Sequence, residues 1–279
     1  MDDATSSGLR AETERRLADA PSAGHNNVVV LGDSIVYGWG VRYDASYPAL
    51  VEGMLRARQG DDWRLVNAGI PGETAVAGAE RYGCHVAPFQ PRAVVIAYGL
   101  NDGALARSAF DVQREFVWRA RRCPALRLGF AARRRLVCLG LWPRWSRLLA
   151  GRTARRPAPR VSPALFEQAL RALALRAQQD GSLVVLAGLM PLTDEAAPYT
   201  RPYLGAEQWD SYARCDAIIA GVAQECSAGL VRLAVIDDPL TPRTMFQPDR
   251  IHLTAEGQAW LARRVYQALE EALHLDQPR

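Results

Sequence analysis

The chain has 279 residues, 49% of them hydrophobic, enough for a sizeable core, which excludes wholesale disorder. Its formal net charge of +4 is too modest to imply a nucleic-acid partner. All 34 Lys+Arg residues are arginine; fifteen lie between 104 and 160 beside only Asp111 and Glu115, so that stretch carries +13 and the remainder −9.

Residues 1–26 are polar and predict a flexible segment with one short helix. They lack a basic start followed by an apolar run, so no secretory signal is expected. From residue 27, apolar runs of strand length alternate with helix-period segments. The expected strands are Val28–Leu31, Arg64–Asn67, Ala93–Tyr98, Leu183–Ala187 and Val231–Ile236, short, largely apolar and as a set rich in Val and Ile. Such runs suit a parallel sheet covered on both faces. Helices are expected near 45–59, 74–86, 162–180, 205–227 and 255–273. The 162–180 helix has Ser162 as N-cap, Pro163 at N1, Gly181 at its end, and Leu165, Phe166, Leu170 and Leu173 on one face. The alternation predicts one α/β domain over 27–279.

More than 80 residues separate the third and fourth strands, where one crossover needs far fewer. The surplus is the arginine-rich block at 104–160, which also holds Phe116, Trp118, Phe130, Trp142 and Trp145. It reads as an insertion on the rim of the sheet. One reading is a solvated helical excursion. Another is a basic, aromatic lid that contacts a membrane surface peripherally. Arginine and tryptophan can also serve phosphates and bases. Five cysteines, Cys84, Cys123, Cys138, Cys215 and Cys226, form no CxxC pair and predict buried thiols without a disulfide framework or zinc site. Together with the absence of an apolar run of about 18 residues, this predicts a cytoplasmic protein.

Ligands of open α/β sheets bind beyond the carboxyl ends of the strands. Four segments lie at or beyond such ends: "GDS" with Ser34, "NAGIPGETA" with Gly72, "YGLNDG" with Asn101, and "PDRIHLTAEG" with Asp249 and His252. Singly, each has a plain structural explanation: a helix cap, a turn glycine, a turn asparagine, a loop acid, a structural histidine. Together they make a chemical set. A serine hydroxyl needs a base, an imidazole can serve, and a carboxylate can orient that imidazole. The Gly72 amide, the Asn101 side chain and the Ser34 amide are candidate donors for an oxyanion. Tyr37 and Trp39 either wall an acyl pocket or pack in the core. His85 beside Cys84 lacks further metal-ligand partners, and His25 and His274 lie in terminal segments.

"GDSI", "NAGIPGET", "GLNDG" and "DRIH" resemble the four blocks of the SGNH hydrolases, the GDSL esterase/lipase family, over residues 28 to about 270. The resemblance implies a flavodoxin-like three-layer α/β/α sandwich with a five-stranded parallel sheet. It implies Ser34 as nucleophile, Asp249 and His252 as its triad partners, and Ser34, Gly72 and Asn101 as the oxyanion hole. Ile35, Glu73 and Leu253 depart from the usual leucine, aspartate and proline without removing a reacting group. A G-x-S-x-G elbow, a P-loop and a dinucleotide fingerprint are all absent. The expected activity is hydrolysis of carboxylic esters, of small acyl groups, lipids or acylated sugars, through an acyl-enzyme and without a cofactor or metal. An acyltransferase, or a non-catalytic module binding lipid or a partner, would share these blocks.

Overall fold

The computed structural model describes residues 3–18, 26–105, 158–189, 206–233 and 242–275. Strands β1 (Asn26–Gly32), β2 (Trp63–Gly69), β3 (Ala93–Ala97), β4 (Leu183–Ala187) and β5 (Gly229–Val231) form one sheet in the order β2-β1-β3-β4-β5. Every pairing is parallel. The fifth strand begins earlier than its Val-rich run suggests. Gly229 already pairs with Val185, directly after a turn in which Ser227 takes a φ of 51°. Residues 234–236 of the expected strand lie outside the described residues.

The strands are mostly apolar because helices cover both faces. Along β1, Val29 and Leu31 enter a core built with α4 (Ala75–His85), α5 (Pro163–Gln179) and α6 (Ala206–Glu225). The alternate residues Val28 and Val30 enter a second core, built with α3 (Tyr47–Gln59), the short α7 (Pro242–Met245) and α8 (Ala255–Leu273). The result is the three-layer arrangement expected of the sequence.

Helix α5 starts as its sequence predicts. The Ser162 hydroxyl accepts from the Leu165 amide, and Pro163 occupies the first turn, where its missing N–H costs nothing. Its buried face is Phe166, Ala169, Leu170, Leu173, Ala174 and Ala177. Leu165, expected on that face, is instead 44% exposed. It precedes Phe166 by one residue, which turns it about 100° away from the stripe.

The N-terminal segment carries more structure than its polar composition predicts. Helix α1 (Asp3–Ala18) runs for 16 residues. Its buried Thr13 hydroxyl donates to the Gly69 carbonyl at 2.9 Å, at the end of β2. Glu12 accepts from the Tyr37 hydroxyl at 2.8 Å, and the Arg16 guanidinium lies over the Tyr37 ring. Tyr37 therefore faces α1, an arrangement that neither of its two readings, pocket wall or core packing, included.

Residues 106–157, most of the arginine-rich insertion with its five named aromatics, Cys123 and Cys138, lie outside the described residues, as does His25. Both roots of the insertion are described. Leu105 and Pro159 form an antiparallel bridge, and the Arg160 and Val161 amides donate to the Ala104 and Asp102 carbonyls. Both roots thus emerge just beyond Asn101, at the carboxyl end of β3. Of the described cysteines, Cys215 and Cys226 are buried and Cys84 is exposed, and all three are free. No helix among the described residues is long and apolar enough to cross a membrane, and none of their His, Cys, Asp and Glu side chains gather in a group of three fit for a metal ion.

Candidate active site

The chain leaves β1 in one direction across the sheet and β3 in the other, because β1 sits between β2 and β3. A crevice opens at such a reversal, beyond the strand ends. Ser34 follows β1 there, and Asn101 follows β3. Gly32 lets the two strand ends approach. A Cβ on it would lie 2.5 Å from the Ala97 carbonyl oxygen. The next residue, Asp33, caps the short helix α2 (Ser34–Tyr37): its carboxylate accepts from the Ile35 amide at 2.9 Å. Ser34 is thus the first residue of a helical turn and is nearly buried.

His252 reaches Ser34 from the far end of the chain. Its Nε2 lies 2.9 Å from the Ser34 Oγ, and its Nδ1 lies 2.7 Å from Asp249 Oδ2. The other Asp249 oxygen accepts from the Ile251 and His252 amides, closing a local turn that sets carboxylate and imidazole side by side. Burial pushes the Asp249 carboxyl up. The hydrogen bond and charge of His252, with the two amides, outweigh it and hold the group below the usual aspartate range. It is therefore an anion at neutral pH and can support a positively charged imidazole.

Gln247 anchors this turn, a role that no local motif signals. Its side-chain amide donates to the Trp39 and Leu253 carbonyls, both at 2.7 Å, and its backbone amide donates to the His252 carbonyl. It ties the histidine loop to the segment after α2. Trp39 itself stands beside the site, its ring 6.0 Å from the His252 ring. Gln258, fully buried on α8, accepts from the Tyr47 amide and donates to the Ile35 carbonyl, joining α8 to α2 and α3.

Asn101 is held by Asp33. Its Nδ2 donates to Asp33 Oδ2 at 3.0 Å, leaving its second N–H for another acceptor. Burial raises the Asp33 carboxyl to about 6, against the pull of the Ile35 amide, the His252 charge and the Asn101 bond. Gly72 stands nearby with a φ of 85°, a conformation that favours glycine. Among the described residues, neither the Gly72 nor the Ser34 amide meets an acceptor. Behind Gly72, Glu73 is buried in a bidentate pair with Arg81, and also accepts from the Tyr98 hydroxyl at 2.6 Å. The departure from aspartate at this position therefore supplies the longer reach of an interior ion pair.

The structure thus brings Ser34, Asp249, His252, Gly72 and Asn101 to one crevice. Asp33, Gln247 and Gln258 support them through pairings across the chain. Beneath Asp33 lies a cavity of about 30 Å³, lined also by Tyr47, Tyr98, Leu233 and Leu261. It has room for about one water molecule, not for an acyl chain.

Asp102 offers a test of this interior. It is fully buried, accepts from the Ala75 amide at 2.9 Å, and its second oxygen has no partner among the described residues. Burial raises its carboxyl to about 7. A raised acid binds its proton in the folded state where the unfolded chain has released it. Its contribution to stability is therefore complete below pH 4 and is lost as pH rises to about 7. At pH 8 that loss is on the order of 4 kcal/mol. The expected result is that Asp102→Asn gains stability relative to the parent as pH rises from 4 to 8, measured by urea denaturation. A difference independent of pH would contradict it.

The family model described as GDSL-like Lipase/Acylhydrolase matches residues 30–260. Among characterised proteins, the chain is 33% identical over 103 residues to "Esterase TesA" of Pseudomonas aeruginosa, an alignment covering 37% of this chain and 51% of that one. It is also 33% identical over 86 residues to "Thioesterase 1/protease 1/lysophospholipase L1" of Escherichia coli K12, covering 29% and 38%. The chain thus spans about half the length, or less, of these relatives. Its fold is similar to that of an acetylxylan esterase from Geobacillus stearothermophilus, with a TM-score of 0.56 at 19% identity, covering 89% of this chain and 96% of the other. Extent of match and order of blocks agree: this chain belongs to the GDSL-like lipase/acylhydrolase family.

Proposed function

We propose that the protein is a serine hydrolase of carboxylic esters that works through an acyl-enzyme. The observation that carries this reading is the continuous chain from Asp249 through His252 to the Ser34 Oγ, at 2.7 and 2.9 Å. His252 removes the Ser34 proton as Oγ attacks the ester carbonyl. Asp249 holds the imidazole with Nε2 toward the serine and stabilises the cation that forms. The carbonyl oxygen becomes an anion, received by the Gly72 and Ser34 amides and the free N–H of Asn101. As the intermediate collapses, the ester C–O bond breaks and the imidazolium gives its proton to the departing alcohol. Water, deprotonated by the same imidazole, then releases the acid and restores Ser34.

The names of the similar proteins span thioesters, lysophospholipids and acetylated sugar polymers, and the same chemistry serves all three. A small-molecule or lipid ester is the partner proposed here. The insertion, rooted beside Asn101, is the segment proposed to touch a membrane surface peripherally. The free thiols suit a reducing, cytoplasmic setting. The test is a panel of esters from acetyl to palmitoyl, with lysophospholipids and acetylated sugars. At least one class is expected to turn over at about 1 s⁻¹ or faster. Turnover no faster than solvent background across the panel, with folded protein, would overturn the reading. Supplying sugar acceptors in the same assay detects acyl transfer, which would replace water as the final step.

A further inference from the structure

Arg160 is the last of the fifteen arginines between 104 and 160, and charge counting alone gives it no special place. The structure does. Its side chain is exposed, yet one guanidinium nitrogen, Nη1, donates both to the Asn101 Oδ1 and to the Gly72 carbonyl, each at 3.3 Å. These are the two residues that, with the Ser34 amide, receive the oxyanion in the mechanism above. We propose that Arg160 is a positioning residue that locks the oxyanion hole, an inference resting on that esterase reading.

A side-chain carboxamide can turn by 180°, exchanging its oxygen and nitrogen at little intrinsic cost. For Asn101 that turn would place a lone pair where a donor is needed. Two charged neighbours oppose it from opposite ends. The Asp33 carboxylate accepts from Nδ2, and a turned amide would set oxygen against oxygen there. The Arg160 cation donates to Oδ1, and a turned amide would set N–H against N–H there. Between a carboxylate and a guanidinium the amide is also polarised, which makes its remaining N–H a better donor.

The second contact extends the lock to Gly72. At a φ of 85° this glycine has no side chain to fix its backbone. Its carbonyl is held by Arg160, while the next residue, Glu73, is fixed through Arg81 and Tyr98. One guanidinium therefore bridges two of the three residues that supply the hole's donors and sets their separation. Because Arg160 follows the insertion root directly, the insertion is joined to the reaction centre through this contact.

The test is kinetic, on an uncharged substrate such as p-nitrophenyl acetate. Arg160→Ala and Arg160→Gln are expected to lower kcat by about 5- to 30-fold, as loss of one or two exposed charge-assisted bonds implies. KM should stay within about threefold, because the hole matters mainly in the transition state. Arg160→Lys should recover part of the loss by restoring one donor. The decisive arm is a double-mutant cycle. In an Asn101→Ala background, Arg160→Ala should cost clearly less than in the parent, because only its contact with the Gly72 carbonyl then remains to be lost. An equal cost in both backgrounds, a change confined to KM, or no change would overturn the proposal. The urea midpoint shows whether each variant keeps its fold, and Gln decides if Ala does not. Ser34→Ala, run alongside, separates the failures: if it retains activity, the esterase reading itself falls.

Discussion

Replacing Ser34 by alanine is expected to lower kcat/KM for an activated ester by about 10⁴- to 10⁶-fold, while leaving the fold intact. The side chain loses one oxygen, and in the proposed mechanism that oxygen is the atom to which the acyl group bonds. His252→Ala should cost nearly as much, since a hydroxyl without its base is a poor nucleophile. Asn101→Ala should cost far less, about 10²- to 10³-fold, because the Gly72 and Ser34 amides still receive the oxyanion. The ranking is more diagnostic than any single value. Combining Ser34→Ala with His252→Ala should add little, because the two act as one unit. Steady-state kinetics on p-nitrophenyl acetate check all four. A loss below about tenfold on removing Ser34 would contradict the assignment.

The largest effect on stability is expected at the ion pair behind Gly72. Glu73 and Arg81 are 7% and 4% exposed, and Arg81 makes five hydrogen bonds to Glu73, Tyr98 and the Ala68 carbonyl. Removing one partner leaves the other charge buried without compensation. Arg81→Ala is therefore expected to lower stability by about 3–5 kcal/mol. For a chain of this size that is on the order of 10 °C in Tm. The double replacement Glu73→Gln with Arg81→Met should recover much of the loss, because no charge then remains to be desolvated. Activity should fall in the single variant even well below its Tm, since Glu73 fixes the backbone next to Gly72. A thermal melt within about 2 °C of the parent for Arg81→Ala would show that the pair contributes little.

Much of the fold is legible because its determinants are local. Val28–Leu31 has the length and composition of a strand covered on both faces, and Ser162-Pro163 followed by an apolar stripe suits the opening of a helix. The site residues are legible for a related reason: each lies at a strand end or before the last helix, within a short block. What sequence does not reveal are pairings between distant side chains. Gln258 meets the Tyr47 amide across 211 residues, Gln247 meets Trp39 across 208, and Asn101 meets Asp33 across 68. Glutamine and arginine are ordinary surface residues until the fold brings an acceptor to them. The same holds for Arg160, hidden in a crowd of like charges. The docking of α1 was equally hidden, since its helix is polar and is held by Thr13 and Glu12 rather than by a wide apolar stripe. Leu165 shows the converse: an apolar residue in a strongly signalled helix still faces water if it is one position out of phase.

In the proposed mechanism the Ser34 hydroxyl is made nucleophilic by His252 and Asp249. A fluorophosphonate tests it directly, because its phosphorus is attacked by an activated serine and the adduct is stable. Intact-mass and peptide mapping should show one adduct, on Ser34, that is absent from Ser34→Ala and forms far more slowly in His252→Ala. Labelling elsewhere at the same rate in the parent and in Ser34→Ala, or no labelling of folded protein, would contradict the account.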